Sequence, residues 1–137
     1  MDYNIIMVYK IGFVDIGTSE LDSQKLTQLV LQITEMLAMY QAELARVLQL
    51  QCNDIGRFAN GQDYIKPQTV SWERAILFIR FYELLYNRMA GNGVAMCHWL
   101  RASNRHLKEV PLLLIVDEGR LEFVLEYIQT HEIDYGR

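Results

Sequence analysis

Met96-CHWLRASNRHLKEVPLLLIVDEGRLEFVLEY-Ile128 contains three short apolar runs separated by helix-starting and helix-stopping punctuation. Trp99-Leu100 closes the first run, and Pro111 opens the second, Leu112-Leu113-Leu114-Ile115. Proline suits a first helical position because its missing N–H has no partner there anyway. Asp117 and Gly119 then introduce Phe123, Val124, Tyr127 and Ile128, which recur at helical spacing. The run therefore predicts a compact helical module whose own core holds Trp99, Leu100, Leu107, Leu112 and Leu113. Asn104 is expected as a local turn former.

The rest of the chain is compatible with this. At 137 residues, 51% apolar and 22% charged, it suggests one compact unit or two small modules sharing a core. No apolar run approaches the roughly 18 residues of a membrane span. The start, Met1-Asp2-Tyr3-Asn4, lacks a signal peptide's basic flank, so a cytoplasmic location is expected. Cys52 and Cys97 are isolated, without zinc-ligand spacing, and are expected to be reduced packing residues. The net charge of −4 is unevenly placed. Glu109–Arg137 has seven carboxylates against two cations, whereas Glu35–Asn92 has six of each. An acidic end serves either as a solvated helix face or as a surface for a basic partner.

Residues 1–22 read as an extension, rich in β-branched and aromatic residues to Ile16 and interrupted by Gly12 and Gly17. A short strand or an extended arm is expected. A helix should start after Asp22 or Ser23, with Leu26, Leu29, Val30, Ile33, Met36 and Leu37 facing the core to about Met39. Tyr40-QAELARVLQLQCNDIGRFANGQ-Asp63 reads as helix, tight turn, helix. Leu44, Ala45 and Leu48 face inward on the first helix, and Ile55 and Phe58 on the second. A long helix follows a Thr69 or Ser71 cap and runs to about Met89, apolar around much of its circumference, with Val70 and Trp72 among its apolar residues. Ala90-Gly91-Asn92-Gly93 should terminate it with a left-handed cap. The expected architecture is all-α: an extension (1–22), a helix-turn-helix module with a long connecting helix (23–92), and a C-terminal module (93–137).

Two resemblances follow from these residues. The pattern W-L-x3-N-x2-L-x3-P-L-x6-G-x4-V, Trp99 to Val124, resembles the toxin-binding domain of the Xre/MbcA/ParS antitoxins of bacterial toxin–antitoxin operons. Glycine is common in those relatives where this chain has Lys108-Glu109. Gln41, Leu44-Ala45, Leu48, Leu50 and Ile55 resemble the Xre/Cro-type helix-turn-helix. Here Gln49 replaces the turn glycine, at a strain cost, and Gly56 replaces a small polar residue.

Catalytic motifs are missing: there is no G-x-S-x-G elbow, phosphate-cradling glycine loop or H-E-x-x-H. His98, His106 and His131 are expected at the surface or in caps, and Asp117-Glu118 at a helix start, where acid is favourable. No catalysis and no cofactor or metal are expected. In a helix-turn-helix the second helix enters the major groove. That gives Gln51, Asn53, Asp54 and Arg57 as base-reading candidates, since Asn and Gln suit adenine and Arg suits guanine or phosphate. Asn60, Gln62, Lys66 and Arg46 would touch the backbone. The other reading is a three-helix scaffold that binds no DNA.

The resemblance implies an antitoxin that neutralises a RES-domain, NAD-consuming toxin and represses its own operon as a dimer or larger complex. A pocket for an anionic dinucleotide should be basic, and an acidic flank of Glu118, Glu122, Glu126, Glu132 and Asp134 complements it. Ile133, Tyr135 and Arg137 are the expected anchors. Two alternatives stand beside it: a free-standing Xre-type regulator whose C-terminal module only dimerises, and a structural interaction protein without DNA.

Overall fold

The computed structural model describes residues 10–11, 14–15, 22–131 and 133. Seven helices make up about two thirds of the described chain: α1 (Ser23–Met36), α2 (Gln41–Leu48), α3 (Cys52–Ala59), α4 (Val70–Arg88), α5 (Gly93–Arg101), α6 (Pro111–Val116) and α7 (Leu121–Thr130). The fold is all-α. Ahead of the helices, β1 (Lys10–Ile11) and β2 (Val14–Asp15) pair antiparallel, and the β1 backbone runs near α4. The rest of the expected extension lies outside the described residues.

The helix ends follow from local chemistry. Asp22 caps α1 by accepting the Lys25 N–H at 2.8 Å, and Thr69 caps α4 by accepting the Trp72 N–H at 3.1 Å. α1 stops at Met36, a turn earlier than its apolar pattern, because Ala38 takes a left-handed φ of 57°. Ala90 (φ 53°) and Gly91 (φ 76°) end α4 in the left-handed conformation that the sequence predicts there. In the loop before α6, Asn104 Oδ1 accepts the N–H groups of His106 and Leu107. Lys108 takes φ 66°, a left-handed position at which glycine would be unstrained.

α4 is the central element. It packs against α1, α2, α5 and α7 and buries Ala75, Phe78, Ile79, Phe81, Tyr82 and Leu85. The buried side chains form one continuous cluster from Leu26 to Ile128, so both expected modules draw on a single core. Three apolar residues depart from expectation. Leu113 is 40% exposed, because a six-residue helix cannot turn every member of a Leu-Leu-Leu-Ile run inward. Val70 is 58% exposed at the first position of α4, and Cys52 is exposed at the first position of α3.

Arginines tie the helices together end to side. Arg74 is buried on α4; its Nε donates to the Val47 carbonyl at 3.1 Å and its guanidinium pairs with Glu122 of α7 at 3.0 Å. Arg88 donates to the carbonyls of Ile128 and Gln129 at the end of α7. Arg101 donates to those of Leu37 and Ala38 just beyond α1, each at 2.8 Å. Arg74 and Arg88 satisfy last-turn carbonyls that a helix leaves without partners, and Arg101 those of the two residues that follow α1, all near a helix's negative pole. Ser71 adds a bond to the Leu48 carbonyl.

Arg74→Met should cost about 2 kcal/mol, because the buried Val47 carbonyl loses a donor. Glu122→Gln should cost less than about 1 kcal/mol, since the Glu122 side chain is 61% exposed and screened. Urea denaturation of the two variants separates these outcomes. Burial pushes the Tyr82 phenol up to about 12, with its OH set against the Met36 sulfur at 2.9 Å. The folded state therefore holds the proton more tightly than the unfolded chain, so Tyr82 contributes stability that is intact below about pH 10 and is lost toward pH 12. Melting curves of Tyr82→Phe should lose that alkaline decline relative to the parent.

Candidate nucleic-acid and partner interfaces

α2 and α3 are joined by Gln49, Leu50 and Gln51, and the turn depends on Gln49, which adopts a left-handed φ of 61°. The Gln49 and Leu50 N–H groups return to the carbonyls of Arg46 and Ala45. Leu44, Ala45, Leu48, Ile55 and Phe58 are buried on the inner side. Within this pair the structure brings Gln51, Asn53, Arg57, Asn60 and Gln62 out to solvent, with Asp54 half-buried.

Electrostatically this face is closed on itself. Asp54 caps α3, accepting the Gln51 N–H at 3.0 Å, and its other oxygen pairs with Arg57. Asp63 accepts from the Lys66 ammonium at 3.0 Å and lies 3.8 Å from Arg57. The Lys66 hydrogen bond, then the Tyr64 backbone N–H, hold the Asp63 carboxyl below the usual carboxylate range. Two cations therefore meet two carboxylates, and Asp54 acts as a capping and charge-balancing residue. Arg46, half-exposed, lies 3.8 Å from Asp117. A shallow cleft of about 290 Å³ beside α3 is lined by Asp54, Phe58, Asp63, Lys66 and Ser71.

Gly56 is half-buried on α3, and a Cβ built there would meet nothing within 4 Å. Neither packing nor backbone conformation in this chain requires glycine at the position. It only weakens the helix.

In the C-terminal module Glu118, Glu122 and Glu126, three of the acidic residues predicted as a flank, are all exposed. Glu122 pairs from the surface with the buried Arg74 at 3.0 Å, and Glu118 pairs with Arg120 at 3.8 Å. Glu126 is exposed, and its carboxylate bonds to no described residue. Asp117 sits at the C-terminal end of α6, not at a helix start, and is held by Arg46. Ile133, expected as an anchor for a partner, is half-buried and packs on the protein's own core. Glu132, Asp134, Tyr135 and Arg137 lie outside the described residues.

A feature that the sequence reading missed lies on the outer face of α7. Phe123, Tyr127 and His131 follow one another at a spacing of four, and Tyr127 stacks on His131 at 4.7 Å between centroids. His106, from the loop before α6, lies on the other side of Tyr127 at 6.3 Å. With Leu107, Glu126 and Thr130 these rings line an open groove of about 420 Å³. The four-residue spacing is the signal by which it was readable.

Among the described residues no three His, Cys, Asp or Glu side chains are grouped to hold a metal ion, and no helix is long and apolar enough to cross a membrane. Compared with protein-family models and with curated proteins, the chain matches none.

Gly56→Ala should raise stability by about 1 kcal/mol, the difference in helix propensity between the two residues. Guanidinium denaturation checks it: a destabilised variant would mean that the position is constrained within the fold.

Proposed function

We propose that this protein is a two-part regulator of the antitoxin type: α2–α3 bind operator DNA and the C-terminal module engages a partner protein, a RES-domain toxin. The observation that supports the DNA half is the three-residue turn, left-handed at Gln49, with Gln51, Asn53, Arg57, Asn60 and Gln62 all exposed along α3 and just beyond its ends. Amide side chains there offer the paired donor and acceptor that adenine requires, and Arg57 offers a donor fork for guanine or phosphate. The resemblance of Trp99–Val124 to the antitoxin module supports the partner half.

Cations are scarce on this face, so affinity from phosphate neutralisation alone is low and its salt dependence shallow. A dimer engaging two half-sites offsets this, which supports a homodimer or a larger complex with the partner. The second reading is a free-standing Xre-type regulator whose C-terminal module dimerises. It draws on Ile133, which packs on the protein's own core.

Co-expression with the product of the neighbouring gene separates the two readings. Co-purification and relief of toxicity are expected of an antitoxin, and a chain that does neither is not one. For the DNA half, Arg57→Ala should weaken operator binding in gel-shift titrations at least a few-fold. Asp63→Asn should strengthen it and steepen its salt dependence by about one phosphate contact, because Lys66 and Arg57 lose a competing carboxylate. Unchanged affinity in both variants rules out α3 as the reading helix.

A further inference from the structure

We propose that Glu122, on α7, is a positioning residue for the turn between α2 and α3, and that it acts through Arg74. The inference rests on the reading of α2–α3 as the DNA-binding pair and makes an exposed carboxylate of the C-terminal module answerable for the setting of α3.

The last two carbonyls of α2 are held from α4. Arg74 Nε donates to that of Val47 at 3.1 Å, and the Ser71 hydroxyl donates to that of Leu48 at 2.9 Å. Gln49 follows at once with a φ of 61°, a left-handed conformation that a residue with a Cβ adopts at a cost. Such a conformation persists where its surroundings over-determine it. The Gln49 and Leu50 N–H groups return to the carbonyls of Arg46 and Ala45, so the turn is only as firm as the last turn of α2. That in turn depends on the two donors of α4.

One of those donors is loaded from the surface. The Arg74 side chain is 9% exposed, whereas Glu122, at 3.0 Å in the first turn of α7, is 61% exposed. Val47 and Glu122 are the hydrogen-bond partners of this guanidinium among the described residues. Deprived of its carboxylate, a guanidinium so placed is an uncompensated buried charge and turns toward water. Its Nε–H then leaves the Val47 carbonyl, and Ser71 alone holds the end of α2. A looser turn leaves α3 less well set, and binding that must order it is weaker.

The test uses the full chain as Glu122→Ala and Glu122→Gln. Both remove one negative charge, but glutamine keeps an acceptor for Arg74. Amide hydrogen exchange in the free protein is followed at Gln49 and Leu50, with Phe78 and Ile79 of the core as references. Exchange at the turn should be at least about threefold faster in Glu122→Ala and less accelerated in Glu122→Gln, with no matching change at the references. In gel-shift titrations with DNA from upstream of its own gene, Glu122→Ala should bind at least about twofold more weakly than the parent, with Glu122→Gln between them. Bulk charge predicts the opposite sign, since loss of a carboxylate favours approach to phosphates and does so equally in both variants. Unchanged exchange at Gln49 and Leu50, an equal rise at Phe78 and Ile79, or two variants that bind DNA alike or more tightly than the parent each overturns the proposal. A response at the turn with no DNA bound by any form keeps the coupling and removes the DNA reading. DNA binding by the parent without a response at the turn does the reverse.

Discussion

The structure depends on one buried guanidinium. Arg74 lies in the first half of α4, donates to the last turn of α2 and holds Glu122 on α7. A charge so placed is tolerated only when each of its directions is satisfied, because removing it from water costs several kcal/mol that good geometry must offset. Here one partner is a helix-terminal carbonyl, at the negative pole of α2, and the other is a carboxylate still touching solvent. The arrangement joins α2 to α7 through α4 without requiring a second fully buried charge.

Arg88 and Arg101 repeat the device at the ends of α7 and α1. Apolar packing around Phe78 and Phe81 supplies most of the gross stabilisation, as it does in any helical core. Apolar contacts are weakly directional, however, and helices can slide or rotate against them. Hydrogen bonds from one helix's arginine to another's terminal carbonyls fix the axial register that packing leaves loose. The same use explains why a chain with a near-neutral middle presents so few cations on α3: Arg74 and Arg88 face inward or cap, and Arg57 is balanced by Asp54 and Asp63.

Much of this was legible from local sequence. Asp22 and Thr69 cap the helices they precede, Ala90-Gly91 ends α4, and Asn104 organises its loop, because each of these effects acts within a few residues. Apolar periodicity placed the core faces of α1 and α4. What escaped was what depends on distance along the chain. The partners of Arg74, Arg88 and Arg101 on other helices or their ends are 27 to 64 residues away, and nothing in the neighbourhood of an arginine announces which distant carbonyl it will meet. For the same reason an acidic count over Glu109–Arg137 overstated the free surface charge, since Glu122 was already taken. Leu113 was read with the core because an apolar run gives no sign of which member a short helix turns outward.

The caps at Leu37 and Ala38 have a bearing on synthesis. The carbonyls that end α1 wait for Arg101, more than sixty residues downstream, so a chain emerging from the ribosome exposes that end bare until α5 has been made. α2 and α3 can close on each other early, since only a three-residue turn separates them. Closing α2 on α3 needs only neighbouring chain, whereas the end of α1 gains its side-chain donor only when Arg101 is present.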